Sequence, residues 1–198
     1  MNYLAHAVLS GNDPALLTGN MIADFVKGSK VLSLFPGQVA SGIRLHRFID
    51  SYTDTHPAAL RASLFFRPDY GLYSHAIVDS LFDHFLANDP AWFPGREALA
   101  DFARQTYQTL EERSEWFPER FARMFPYMKT HNWLLGYRQM GNMRQALKGL
   151  QKRASHMPEV DQAFSLFAGH YYQLNQAYME LMEDLAKAVK IELSASQP

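Results

Sequence analysis

Apolar residues recur along this chain at intervals of three and four. Between positions 39 and 52, Val39, Ile43, Leu45, Phe48, Ile49 and Tyr52 share one broad arc of a helical wheel, with Arg44, Arg47 and Ser51 on the other side. Further on, Ile77, Val78, Leu81, Phe82, Phe85 and Leu86 occupy a half-circle. Alternating strand-like runs joined by hairpin turn pairs are missing. Val, Ile and Thr together number 18 against 46 Leu plus Ala, a balance that favours helix over strand. The pattern predicts an all-α fold.

Proline, glycine and capping residues mark where the helices stop and start. A short helix is expected over Asn2–Leu9, broken at Ser10-Gly11. A second has Asp13 as N-cap and Pro14 in its first turn, ending near Gly28. A third covers Gln38–Thr55 up to Pro57, and a short one Ala58–Phe66. A long helix is expected over Tyr70–Ala87, stopped by Asp89-Pro90. Others follow at Arg96–Arg113, Pro118–Met128, Trp133–Arg153 (with Gly136 and Gly141 as weak points) and Glu159–Val189. With no long linker or repeat, residues 1–193 are expected to form a single-domain helical bundle, with 194–198 a frayed tail.

Composition narrows the chemistry. Cysteine is absent, which removes disulfides and thiolate metal sites and leaves His, Asp and Glu as protein ligands. No run approaches the ~20 apolar residues of a membrane span, and Met1–Gly11 lacks the basic leader of a signal peptide. The expectation is a cytoplasmic protein without membrane association. The net charge of −1 conceals strong segregation. Residues 1–90 hold eight aspartates and no glutamate, whereas 120–158 hold eight basic residues and no acid. Within that stretch Arg144, Lys148 and Lys152 form a helical stripe suited to an acidic partner. Nucleic acid is the weaker reading, because the chain is not basic overall and shows no recognised module.

Some polar residues stand where the helical pattern calls for apolar ones. His46 and Asp50 fall inside the apolar arc of the third helix, one turn apart. Asp79 and Asp83 line one edge of the long helix, with His84 beyond the opposite edge, and Asp24 sits beside Leu17 and Met21. A buried carboxylate without a partner costs several kcal/mol, so each of these needs a cation, a donor network or a metal. Asp24, His46, Asp50, Asp79 and Asp83 are therefore candidate metal ligands. Carboxylate and imidazole without thiolate suit Mn²⁺, Mg²⁺ or Fe²⁺. The alternative is a set of core His/Asp networks and solvated edges without a metal.

Four segments then resemble a known family in order and spacing. They are Met1–His6, Gly19–Gly28, Gly42–Pro57 and Val78–Ala87, with weaker similarity around Tyr127-Met128 and Trp133–Arg138. Together they resemble the acyl-carrier-protein phosphodiesterases, which are regarded as remote relatives of the HD phosphohydrolases. This chain has no His-Asp dipeptide but the reversed Asp83-His84.

The resemblance implies an HD-phosphohydrolase-like helical bundle. It also implies metal-dependent hydrolysis of the phosphodiester between 4′-phosphopantetheine and a serine of holo acyl carrier protein, with Mn²⁺ as the expected cofactor. On that reading His84 or His6 would protonate the leaving oxygen, Arg44 and Arg47 would neutralise the phosphate, and Arg144, Lys148 and Lys152 would meet the acidic carrier. Two other readings stay open: a phosphodiesterase acting on a small nucleotide-like substrate, and a helical binding protein without enzymatic activity.

Overall fold

The computed structural model describes residues 1–154 and 156–195, with the backbone alone at Arg153. It is built of helices: α1 (Tyr3–Leu9), α2 (Pro14–Ile22), α3 (Gly37–Thr55), α4 (Pro57–Leu64), α5 (Arg67–Tyr70), α6 (Ser74–Asn88), α7 (Arg96–Glu111), α8 (Glu119–Thr130), α9 (Trp133–Gly136), α10 (Met140–Arg153), α11 (Val160–Gly169) and α12 (Tyr171–Ala195). No strand occurs among the described residues, and none of their helices is long and apolar enough to cross a membrane.

The expected caps and breakers act locally. Asp13 accepts from the backbone N–H groups of Ala15 and Leu16, satisfying donors that the first turn of α2 cannot pair internally. Four expected helices are divided or shortened. The segment read as running to Gly28 leaves the α-helix after Ile22, passes through a 3-10 turn at Ala23–Phe25 and reaches Gly28 at φ 82°. Arg47 holds this irregular stretch by donating to the carbonyls of Val26 and Gly28. The helix expected from Tyr70 begins at Ser74, because Gly71 takes a φ of 51°. Trp133–Arg153 breaks after Gly136, and Glu159–Val189 breaks at His170 after Gly169. Of the expected frayed tail, residues 194 and 195 close α12, while 196–198 lie outside the described residues.

The apolar arcs face inward. Ile43 and Ile49 of α3, Ile77, Leu81 and Phe82 of α6, Leu4 of α1 and Ile22 of α2 are all fully buried, each contributing about 1.5–3 kcal/mol by leaving water. The closest approach is between α2 and α3. A Cβ at Gly19 would lie 1.9 Å from the carbonyl oxygen of Val39, and one at Gly42 would lie 2.1 Å from that of Leu16. Only glycine permits this backbone contact. It places Asn20, one residue after Gly19, against His46, one helical turn after Gly42.

Candidate metal centre

Side chains of α1, α3 and α6, together with the 3-10 turn after α2, meet at one end of the α2–α3 crossing. His46, Asp50 and Asp54 recur every four residues along one stripe of α3. His6 arrives from α1, Asp24 from the turn at Ala23–Phe25, and Asp79 from α6. His6 Nε2 lies 3.2 Å from one carboxylate oxygen of Asp50, and His46 Nε2 lies 3.1 Å from the other. His46 Nε2 is also 3.2 Å from Asp24. The two imidazoles stack with centroids 3.9 Å apart. The α-amino nitrogen of Met1 is 2.9 Å from Asp79 and 3.9 Å from Asp50, so both carboxylates face a single cationic atom.

Asn20 fixes the orientation of both rings. Its side-chain amide donates to the carbonyl of His6 and to the Ser10 hydroxyl oxygen, which leaves its Oδ1 as an acceptor for His6 Nδ1 at 2.8 Å. Its backbone carbonyl accepts from His46 Nδ1, also at 2.8 Å. A carbonyl cannot donate, so each Nδ1 carries hydrogen and each Nε2 turns towards the carboxylates. A neutral ring would then set a lone pair against a carboxylate oxygen, an acceptor facing an acceptor. The arrangement is favourable only with a proton or a cation between them.

The electrostatics follow that demand. Burial opposes charge on His46, but hydrogen bonding and attraction from Asp24 and Asp50 outweigh it and hold its pKa up at about 9. Burial likewise opposes ionisation of Asp50, yet His46 and His6 hold its carboxyl well below the usual range. The His46 hydrogen bond also draws Asp24 down. Burial, and then the neighbouring His46, keep His6 below the ordinary histidine value. One proton on His46 thus supplies positive charge that a metal ion would supply instead. The ligand atoms of His6, His46 and Asp50 lie within 4.8 Å of one another, so these residues could hold a metal ion. They border a cavity of about 220 Å³ that Asp24, Asp54 and Asp79 also line, and no Lys or Arg does.

The other residues singled out from sequence lie elsewhere. Asp83 is wholly buried and accepts from the backbone N–H groups of Asn2, Leu4 and Ala5, capping the N-terminus of α1 rather than facing the cavity. His84 packs on the opposite side, between the Tyr137 carbonyl and the Tyr171 hydroxyl, and does not line the cavity. Arg47 is engaged with the carbonyls of Val26 and Gly28, and Arg44 bonds Ser41 on an exposed face. Neither arginine lines the cavity. Arg144 pairs with Asp161, while Lys148 and Lys152 are exposed along α10, whose Leu150 borders the cavity.

A family model described as acyl carrier protein phosphodiesterase matches residues 1–185. The chain belongs to the acyl carrier protein phosphodiesterase family. Relatives that carry the same name include a Shigella boydii protein, 34% identical over 91% of this chain and 90% of its own length. An Escherichia coli O6:H1 protein is 32% identical over 94% and 98%, and a Yersinia pestis protein 31% over 93% and 91%. No solved structure matches. As a member of the acyl carrier protein phosphodiesterase family, the chain is an enzyme, and it brings to this site two groups that sequence reasoning passed over, Asn20 and Asp54. Both stand within segments that carry the family likeness, and Asp54 continues the 46–50 spacing by one more turn. His6, expected as a proton donor, lines the cavity with its ring stacked on that of His46 and its Nε2 towards Asp50.

Proposed function

We propose that this enzyme hydrolyses the phosphodiester joining 4′-phosphopantetheine to a serine of holo acyl carrier protein, as a single cytoplasmic domain using a divalent cation. The observation that carries the metal reading is the pair of Nε2 atoms that Asn20 turns towards Asp50, in a cavity lined by four aspartates and by no Lys or Arg. A phosphodiester is an anion, and such a cavity repels it until the aspartates are neutralised. His6, His46 and Asp50 would hold the ion, with Asp24 and Asp79 beside them. Nitrogen and carboxylate donors without sulfur suit Mn²⁺, Mg²⁺ or Fe²⁺, and the family resemblance implies Mn²⁺. When bound, the ion would polarise the phosphoryl oxygen and acidify water.

The protein's own groups supply the rest. Asn20 holds both rings in one tautomer, as an outer partner of metal-binding histidines does. Asp54 lines the same cavity, its carboxyl raised by burial and then by Asp79, and is a candidate to exchange a proton with substrate or water there. Lys148 and Lys152, exposed on the helix that borders the cavity, offer positive charge to an acidic carrier.

The metal site is tested by calorimetric titration of Mn²⁺ into chelator-treated protein. The parent should bind it, Asp50→Ala and His46→Ala should not, and Asn20→Leu should bind about 10–100-fold more weakly. Circular dichroism should show that all three variants keep their helices. Undiminished binding by folded Asp50→Ala would remove the site.

A further inference from the structure

A second cavity, of about 400 Å³, opens beside the metal cavity. Asn2 and Tyr3 line both, and α10 runs along both, with Gly149 in one and Leu150 in the other. The two differ sharply in charge. The metal cavity carries four aspartates, whereas no Asp, Glu, Lys or Arg lines the second. Its walls are the apolar faces of Tyr3, Trp133, Tyr137 and Met143, and the amides of Asn142 and Gln145 stand among them. The size falls within the roughly 300–1,000 Å³ of small-molecule sites, and an apolar lining with a few polar groups is their usual make-up.

We infer that this second cavity binds the pantetheine arm of the substrate while its phosphodiester lies over the metal cavity. The inference rests on the function proposed above and adds where the arm goes. A substrate with an ionised phosphate at one end and an uncharged chain at the other fits two adjoining cavities that divide charge in the same way. The arm's methylene and dimethyl carbons meet the aromatic walls, and its amides find matching donors and acceptors in Asn142 and Gln145. An arm held there also orients the scissile bond, so that binding energy from non-reacting atoms serves the reacting centre.

Gly149 gives a clean test. A Cβ at this position meets nothing within 4 Å, so Gly149→Leu fills the cavity without displacing backbone. Leucine also suits a helix interior better than glycine. Gly141 of α10 has equally open surroundings and lines neither cavity, so Gly141→Leu serves as the control. Two quantities are read: calorimetric binding of free pantetheine, and the ratio of kcat/KM for holo carrier protein to that for bis(p-nitrophenyl) phosphate.

Gly149→Leu should weaken pantetheine binding and lower the ratio, each by at least about tenfold, while Gly141→Leu matches the parent. Parental pantetheine binding or a parental ratio in Gly149→Leu overturns the inference. So does an equal loss on both substrates, or a cavity that takes adenosine and refuses pantetheine. If the parent itself releases nothing from holo carrier protein, the proposed function fails, and the pantetheine titration still decides whether this cavity recognises the arm.

Discussion

An imidazole tied at Nδ1 to a carbonyl has only Nε2 left to offer, and one asparagine imposes this on two rings at once. Asn20 contributes its backbone to His46 and its side chain to His6, and its own amide is locked by Ser10 and the His6 carbonyl. The same residue-level accounting separates Asp79 from Asp83. Both sit on one edge of α6, one turn apart, and the sequence presents them as equivalent. In the fold Asp79 lines the cavity, while Asp83 is consumed in capping α1. Which edge residue meets a helix terminus depends on where α1 docks, and spacing within α6 carries no record of that. His46 and Asp50 were legible because a polar pair inside an apolar arc requires a partner.

Asp83 gives a pH prediction. Burial pushes its carboxyl up to about 7 against the pull of the backbone donors, from an ordinary value of 3.8. The folded state therefore holds this proton more tightly than the unfolded chain does. Its contribution is complete below about pH 4 and fades as pH rises through about 7, by up to ~4 kcal/mol. Asp83→Asn cannot titrate. The stability of the parent relative to this variant, from urea midpoints between pH 4 and 8, should fall as pH rises. A relative stability that climbs with pH would mean the three N–H donors keep the carboxylate ionised in the fold.

At the scale of elements, the α2–α3 crossing sets the geometry of the centre. Gly19 and Gly42 let two backbones touch, and the residues that follow them bring Asn20 to His46. Gly42→Ala would put a methyl group 2.1 Å from the Leu16 carbonyl oxygen, so the helices must separate. Overpacking of this kind costs about 1–3 kcal/mol. The variant should show a lower urea midpoint together with weaker Mn²⁺ binding, because the Asn20–His46 hydrogen bond stretches first. Parental values for both would show that the crossing tolerates more room than the contact indicates. The helices themselves were readable from period and caps. The break after Gly136 falls at an expected weak point, whereas those at Ile22 and Gly169 were not legible from period and caps. The stretch after Ile22 is held from outside the segment, by Arg47 donating to the carbonyls of Val26 and Gly28.

At the scale of the whole molecule, the segregation of charge along the chain becomes segregation in space. Four of the eight aspartates of residues 1–90 line one cavity, and α10, from the acid-free segment, runs beside it with Lys148 and Lys152 exposed. Under the proposed function, a cation that neutralises these aspartates lets a phosphodiester enter while the exposed lysines offer charge to an acidic carrier. The proposed reaction joins these features: a metal-dependent cut at the bond between serine and the phosphopantetheine phosphate. Intact-protein mass spectrometry of holo acyl carrier protein, incubated with this enzyme after chelation and again after Mn²⁺ is restored, tests it most directly. The account predicts no change after chelation and, with Mn²⁺, loss of one whole 4′-phosphopantetheine to leave unmodified serine. Undiminished release in chelator, no release with Mn²⁺, or a product that keeps phosphate on the serine would contradict it.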